Sequence, residues 1–350
     1  MNRESVVALL RRRDRNKYDE WEQDQRTPLR RVNRTGLVSK AVLEIQARNV
    51  EVLRHEPPSS ESTPPTILFD MMQTHANYSR PFPDYWFPAL ARLCRETAQN
   101  IQTIGQANLS LTAEEKQGIN EYFQAEDYNV ALIGEEITGG SADLVGGWLY
   151  TVNNLLDGPF VSPVTIAPIT RAAIETSAQI AYLNAFEPTE RCFWAMRAVT
   201  DKIHYEKERD LVPGVFPRLK EATKVHTARH RGTKFEFPSN TALVRETLKV
   251  LGGYRMYKET SAYTHQHAWT AYKHSNYVMY NPLPLELRTI RFVLDALAAA
   301  DYAARSFFNY RDTTMTATAY SNLDMLLGIR KSIRDEFVAW MTENNVAPAP

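Results

Sequence analysis

The sequence predicts an all-α protein, with a helical bundle in its C-terminal half and a helical, loop-rich N-terminal half. Three observations carry this prediction. Ile290, Val293, Leu294 and Leu297 recur at the i, i+3, i+4, i+7 spacing of an amphipathic helix. Ser239 or Asn240 stands where a helix N-cap belongs, and Gly252-Gly253 stands where that helix should stop. From Ile169 onward the helical period persists, with no repeat of 20 to 50 residues that would indicate a solenoid.

The elements follow in chain order. Residues 1–56 form a charged helical arm, in which Leu37, Val38, Ala41, Val42 and Ile45 share helical spacing. Residues 57–66 are rich in Pro and Ser, the composition of an exposed linker. A helix and loop region covers 67–164. It contains an aromatic, proline-punctuated entry (Phe82, Tyr85, Trp86, Phe87) into a helix from about Ala89 to Ile104. Paired glycines at 139–140 and 146–147, then Gly158-Pro159, make Gly134 to Pro168 read as loops with short apolar pieces and room for a strand or two, since each helical glycine costs about 1 kcal/mol. The bundle core is placed at 165–343, with helices from Thr189 to about Glu208, from Ser239 to Gly252, from Leu285 to about Tyr310 and from Ala319 to about Asn344; residues 344–350 are a tail.

Composition narrows the class. The chain has 350 residues, 43% of them hydrophobic, enough for a core without staples. Cys94 and Cys192 are the two cysteines and form no CxxC pair, so neither a disulfide framework nor a zinc ribbon is available and a reducing compartment is expected. The N-terminal apolar run is too short for a signal peptide, and no stretch approaches the roughly 18 apolar residues of a membrane span. A cytoplasmic protein is therefore expected.

Net charge is zero, yet the charges are segregated. Residues 218–234 carry six Lys/Arg against one acid, and residues 114–144 carry eight acids against Lys116 alone. Lys224, Arg229, Arg231 and Lys234 are the candidate contacts to a phosphate backbone. The same basic run read as a solvated helix face needs no ligand, and the two oppositely charged segments can also pair within the fold.

Tyr257, Ser261 and His265 fall at i, i+4 and i+8, so a helix places them on one face, a row that Trp269 continues. A hydroxyl, an imidazole and aromatic rings on one stripe line a polar pocket or form a hydrogen-bonded packing ladder. Arg171 and Glu175 stand at i, i+4 in an alanine-rich segment, and burial there would require partners such as Ser261 or His265. These five, His265, Ser261, Tyr257, Arg171 and Glu175, are the candidate catalytic residues. Neither GxxxxGK[ST] nor GxGxxG occurs, and no cofactor is implied. His226 and His230 have i, i+4 spacing, but Arg229 and Arg231 crowd them and no HExxH exists; His265 and His267 point apart, and Asp201 with His204 is only half of a di-iron motif, so no metal site is expected.

The combination of Arg171-x-x-x-Glu175, Arg191 on the next helix and Tyr257-x-x-x-Ser261-x-x-x-His265 resembles a bacterial helical family of unknown function, distantly similar to the HEPN superfamily, over about residues 165–305. The resemblance implies a helical protein tied to RNA. The HEPN ribonucleases have Arg four to six residues before His, whereas the nearest Arg before His265 is Arg255, so their active site is not carried over. Three functions remain open: an RNA-interacting protein, with tRNA among the candidates; an enzyme of specialised metabolism acting on a small molecule, a transferase taking an aminoacyl group from charged tRNA included; and a non-catalytic interaction module. Homo-oligomerisation is compatible with all three, and a membrane partner with none.

Overall fold

The chain divides into two units, Met1–Thr74 and His75–Pro350. The computed structural model describes residues 82–107, 111–125, 129–158, 161–202, 215–230, 235–265, 283–307, 314–344 and 346, all in the second unit. The expected arm and linker, the helix predicted around Val38, and Arg231, Lys234, His204, His267 and Trp269 lie outside these residues.

Ten α-helices form among the described residues, with no strand: α1 (Trp86–Ala107), α2 (Ala113–Tyr122), α3 (Val130–Leu156), α4 (Pro163–Leu183), α5 (Pro188–Lys202), α6 (Val215–Arg229), α7 (Asn240–Thr247), α8 (Gly253–Thr264), α9 (Leu283–Ser306) and α10 (Thr314–Glu343). Local chemistry sets several starts. Thr112 caps α2 in a reciprocal box with Glu115. Asn129 accepts from the Leu132 N–H at the start of α3, and Ser162 caps α4 with Pro163 in its first position. Ser239, rather than Asn240, caps α7, and a 3-10 turn at Lys249–Leu251 ends on Gly252 with φ 76° before α8 begins. That left-handed φ is why glycine stands there.

A closed ring of four helices makes the core: α1 packs on α3, α3 on α4, α4 on α9 and α9 on α1. Helices α4 and α9 pack on each other and are rich in small buried residues, Ala173, Ser177, Ala178 and Ala181 on α4 and Ala296, Ala299, Ala300, Ala303 and Ala304 on α9. Outside the ring, α7 and α8 lie on α4, α5 lies on α3 with α6 behind it, and α10 lies mainly on α1. Buried residues of α10 recur every three or four positions at Thr316, Ala319, Leu323, Leu326, Ile333, Phe337 and Trp340, a single seam. Arg330 interrupts it and donates to the Leu297 carbonyl of α9 at 2.7 Å. The aromatic entry to α1 closes the core edge, where Trp86 packs edge-on against Phe82, Phe337 and Trp340. Cys94 and Cys192 are both free and buried, and burial pushes the Cys192 thiol up to about 12.

The expectation of loops over Gly134 to Pro168 is corrected. Residues 130–156 are one helix, and α4 starts at Pro163 and runs through Pro168. The glycines serve close packing: a Cβ on Gly134 would lie 2.4 Å from the Cys192 sulfur of α5, and one on Gly146 would lie 2.5 Å from the Gln102 side chain of α1. A Cβ on Gly105 of α1 would likewise lie 2.4 Å from the Ala142 Cβ of α3. Burial against α1, α4 and α5 outweighs weak helix propensity. Gly140 and Gly147, by contrast, face open space. Gly140→Ala and Gly147→Ala should each raise the unfolding free energy by about 0.5–1 kcal/mol, while Gly105→Ala should lower it by about 1–3 kcal/mol, read from urea midpoints at constant m. Equal effects at all three sites would show that close packing does not retain Gly105.

Candidate functional site

The polar row on α8 is built as its spacing predicts, and α4 supplies its partner. The Arg171 guanidinium donates from Nε to Glu175 Oε1 at 2.7 Å, from NH2 to the Tyr257 hydroxyl at 2.9 Å and from NH1 to His265 Nε2 at 2.8 Å. It also lies over the Tyr257 ring, 4.8 Å from its centre. The other oxygen of Glu175 accepts from Asn240 Nδ2 at 2.6 Å. Arg171 and Glu175 have side chains 15% and 18% exposed, so their ion pair is held in a largely desolvated place. His265 is the C-cap residue of α8, with its N–H bonded to the Ser261 carbonyl at 2.9 Å.

The geometry fixes a protonation state. A guanidinium has no acceptor, so His265 Nε2 must present its lone pair; the imidazole is then neutral with its proton on Nδ1. The lone pair a general base would need is occupied by Arg171, and proton abstraction at Nε2 requires that bond to open. Ser261 does not join the network: its hydroxyl is buried and finds no hydrogen-bond partner among the described residues. Four of the five candidates, Arg171, Glu175, Tyr257 and His265, therefore meet, with Asn240 as a fifth member and Ser261 beside them on the row. Two cavities lie elsewhere. One of about 10 Å³ sits between Leu93, Leu297, Asp301 and Arg330; an open depression of about 710 Å³ follows α2 at Lys116, Gln117, Asn120 and Gln124.

On its other side α8 meets a second charged network, not expected from the sequence. Arg255 bridges Asp295 at 3.0 Å and Glu259 at 3.4 Å, Arg291 reaches Glu259 at 3.0 Å, and Arg288 donates to the Tyr263 hydroxyl at 3.0 Å. Burial raises the Glu259 and Asp295 carboxyls above their ordinary range, against the pull of the arginines. The visible signal was Arg255 and Glu259 at i, i+4; their partners on α9 lie too far along the chain to be paired by pattern.

The basic candidates are on α6. Lys224 is exposed and pairs with Glu221 at 2.7 Å, and exposed Arg229 covers the Tyr122 ring at 4.2 Å. Arg218 and Lys220 are exposed on the same helix, giving it four Lys/Arg against Glu221. The basic and acidic segments thus do meet, through rings: the Tyr122 hydroxyl and His226 Nδ1 are 3.0 Å apart. His226 and His230 stack face to face, 4.3 Å between centres, instead of converging on a cation. Among the described residues no group of three or more His, Cys, Asp or Glu is placed to hold a metal ion, and no helix is long and apolar enough to cross a membrane.

Burial, then the nearby charges of His230 and Arg229, lower the His226 pKa from its ordinary 6.5 to about 4. The unfolded chain takes up this proton near pH 6.5 and the native one only near 4, so this contribution is complete above 6.5 and is lost as pH falls toward 4. Glu286 acts with the opposite sign: burial, then Asp84, raises it to about 7, so the native state gains relative stability as pH drops through the same range. Comparison of variants separates the two. Wild type minus His226→Phe should lose about 2 kcal/mol of stability between pH 7.5 and 5, read from urea midpoints, and parallel profiles would refute the assignment. No protein-family model, curated protein or solved structure matches the chain.

Proposed function

We propose that the protein binds RNA through the exposed face of α6, with phosphates held by Lys224 and Arg229 and by Arg231 and Lys234 beyond its end. The observation that carries this reading is the outward direction of the α6 charges: Arg218, Lys220, Lys224 and Arg229 are all exposed, with Glu221 the single acid on the helix. Exposed cations on one rigid element attract a polyanion at long range and release its counterions on contact. The charge of Arg171, in contrast, is directed inward onto Glu175 and attracts no anion. The resemblance to HEPN proteins points to the same ligand class, and the occupied Nε2 of His265 agrees with a protein that is not a standard HEPN ribonuclease.

RNA carried through purification without nuclease, then sequenced, names the ligand; a defined species such as tRNA is the expected result. Affinity of labelled RNA should fall with salt, and Lys224→Ala and Arg229→Ala should each reduce the log–log salt slope by about one. Salt-independent binding, or none, removes this reading.

The unpartnered Ser261 hydroxyl, on the same row as neutral His265, favours a second reading, group transfer at the α4 and α8 cluster. A transferase taking an aminoacyl group from charged tRNA would form an ester on Ser261 Oγ as the ester to the terminal ribose hydroxyl breaks, the serine proton passing to that ribose oxygen. Ser261→Ala should then abolish labelled aminoacyl transfer while leaving RNA binding intact; unchanged transfer, or the absence of any transfer in wild type, rejects it.

A further inference from the structure

Three rings stack from the core to the surface beside the basic face. Phe193 of α5 is fully buried, His226 lies on it at 4.0 Å with the planes 19° apart, and His230 lies on His226 at 4.3 Å and 26°. Phe235 flanks the column: its centre is 5.2 Å from Phe193, 5.3 Å from His226 and 6.1 Å from His230. It is nearest the inner rings and so does not cap the outer end. His230, the last ring, is exposed. Its plane is pinned, because its Nδ1–H donates to the His226 carbonyl at 3.0 Å. His226 is pinned in turn by Tyr122. Arg229 and Lys224 stand on the same helix within two turns.

A rigid stack that ends in an exposed residue, with exposed cations on the helix that carries it, matches the requirements of an unpaired nucleobase: a π-surface for the base and positive charge for its phosphate. Bases of a duplex are already stacked on both faces and cannot extend the column. We propose that the outer face of His230 is a stacking platform for an unpaired base of single-stranded RNA, continuing the Phe193, His226, His230 column while Lys224 and Arg229 hold the adjoining phosphates. The assignment rests on the RNA-binding reading and gives it a ligand class, single-stranded instead of double-stranded.

The test compares three labelled probes on the full chain by fluorescence anisotropy at fixed salt: a 12-nucleotide single-stranded RNA of mixed sequence, its duplex, and an abasic ribose-phosphate strand of equal length. Wild type should bind the single strand about tenfold more tightly than the abasic strand, and more tightly than the duplex. His230→Ala should lose about tenfold on the single strand and nothing on the abasic one, and His230→Phe, which keeps a flat ring, should stay within threefold of wild type. Equal wild-type affinity for base-bearing and abasic strands overturns the platform without any variant, as does undiminished binding by His230→Ala. Salt-dependent binding of all three probes in that case leaves the RNA reading standing, whereas no binding of any probe by wild type overturns both.

Discussion

The packing of α4 on α9, two helices rich in small buried side chains, is the constraint on which the polar cluster depends. Small buried residues on both helices let them pack, and at their C-terminal ends Asn184 donates to the Ser306 hydroxyl at 2.9 Å. Close approach gives up little area per residue but fills space without voids, which a core of this kind requires. Because α4 is then enclosed by α3 and α9, its remaining surface can carry only what α7 and α8 bring to it. Arg171 and Glu175 occupy that surface. Their pairing with each other, and with Asn240, Tyr257 and His265, is the answer to placing an arginine and a carboxylate on a helix most of whose circumference is buried.

The same constraint explains the character of α8. Its buried residues are few, Gly253, Met256, Thr260 and Tyr263, and two of its edges are held by charged groups: Tyr257 and His265 by Arg171, and Arg255 and Glu259 by Asp295 and Arg291. Hydrophobic contact tolerates sliding, whereas a three-pronged guanidinium contact does not. The register of α8 is thus specified by polar geometry from both sides. Removing either network takes away more specificity than apolar area.

Much of this architecture was legible in the sequence, and the exceptions share one cause. Helices with a strong 3.6 period, α9 and α10, and those with clear punctuation, such as α7 between Ser239 and Gly252, lie close to where pattern places them. The pairing of Arg171 with Glu175 and the row of Tyr257 and His265 follow from spacing alone. What failed depended on distant residues. Gly134 reads as a loop glycine until Cys192, 58 positions on, is seen to press against it. Asp295 carries no local mark of its bond to Arg255. The stacking of His226 and His230 carries no sequence mark because Phe193, the ring on which the stack is built, lies on another helix.

The two polar regions also differ in what they can meet. Around Arg171 opposite charges already face each other, so the region has hydrogen bonds to rearrange but little field to offer a distant ion. On α6 the cations lie at the surface, Lys224 paired with Glu221 and Arg229 over the Tyr122 ring, and His226 and His230 stack on Phe193 with His230 exposed. Long-range attraction belongs to the first contact with a polyanion, and short-range stacking to its retention. Burial lowers the His226 pKa to about 4, so that ring is neutral at ordinary pH, and the His230 ring is held by its bond to the His226 carbonyl. The two polar regions are thus built on different helices, α6 on α5 and α8 on α4.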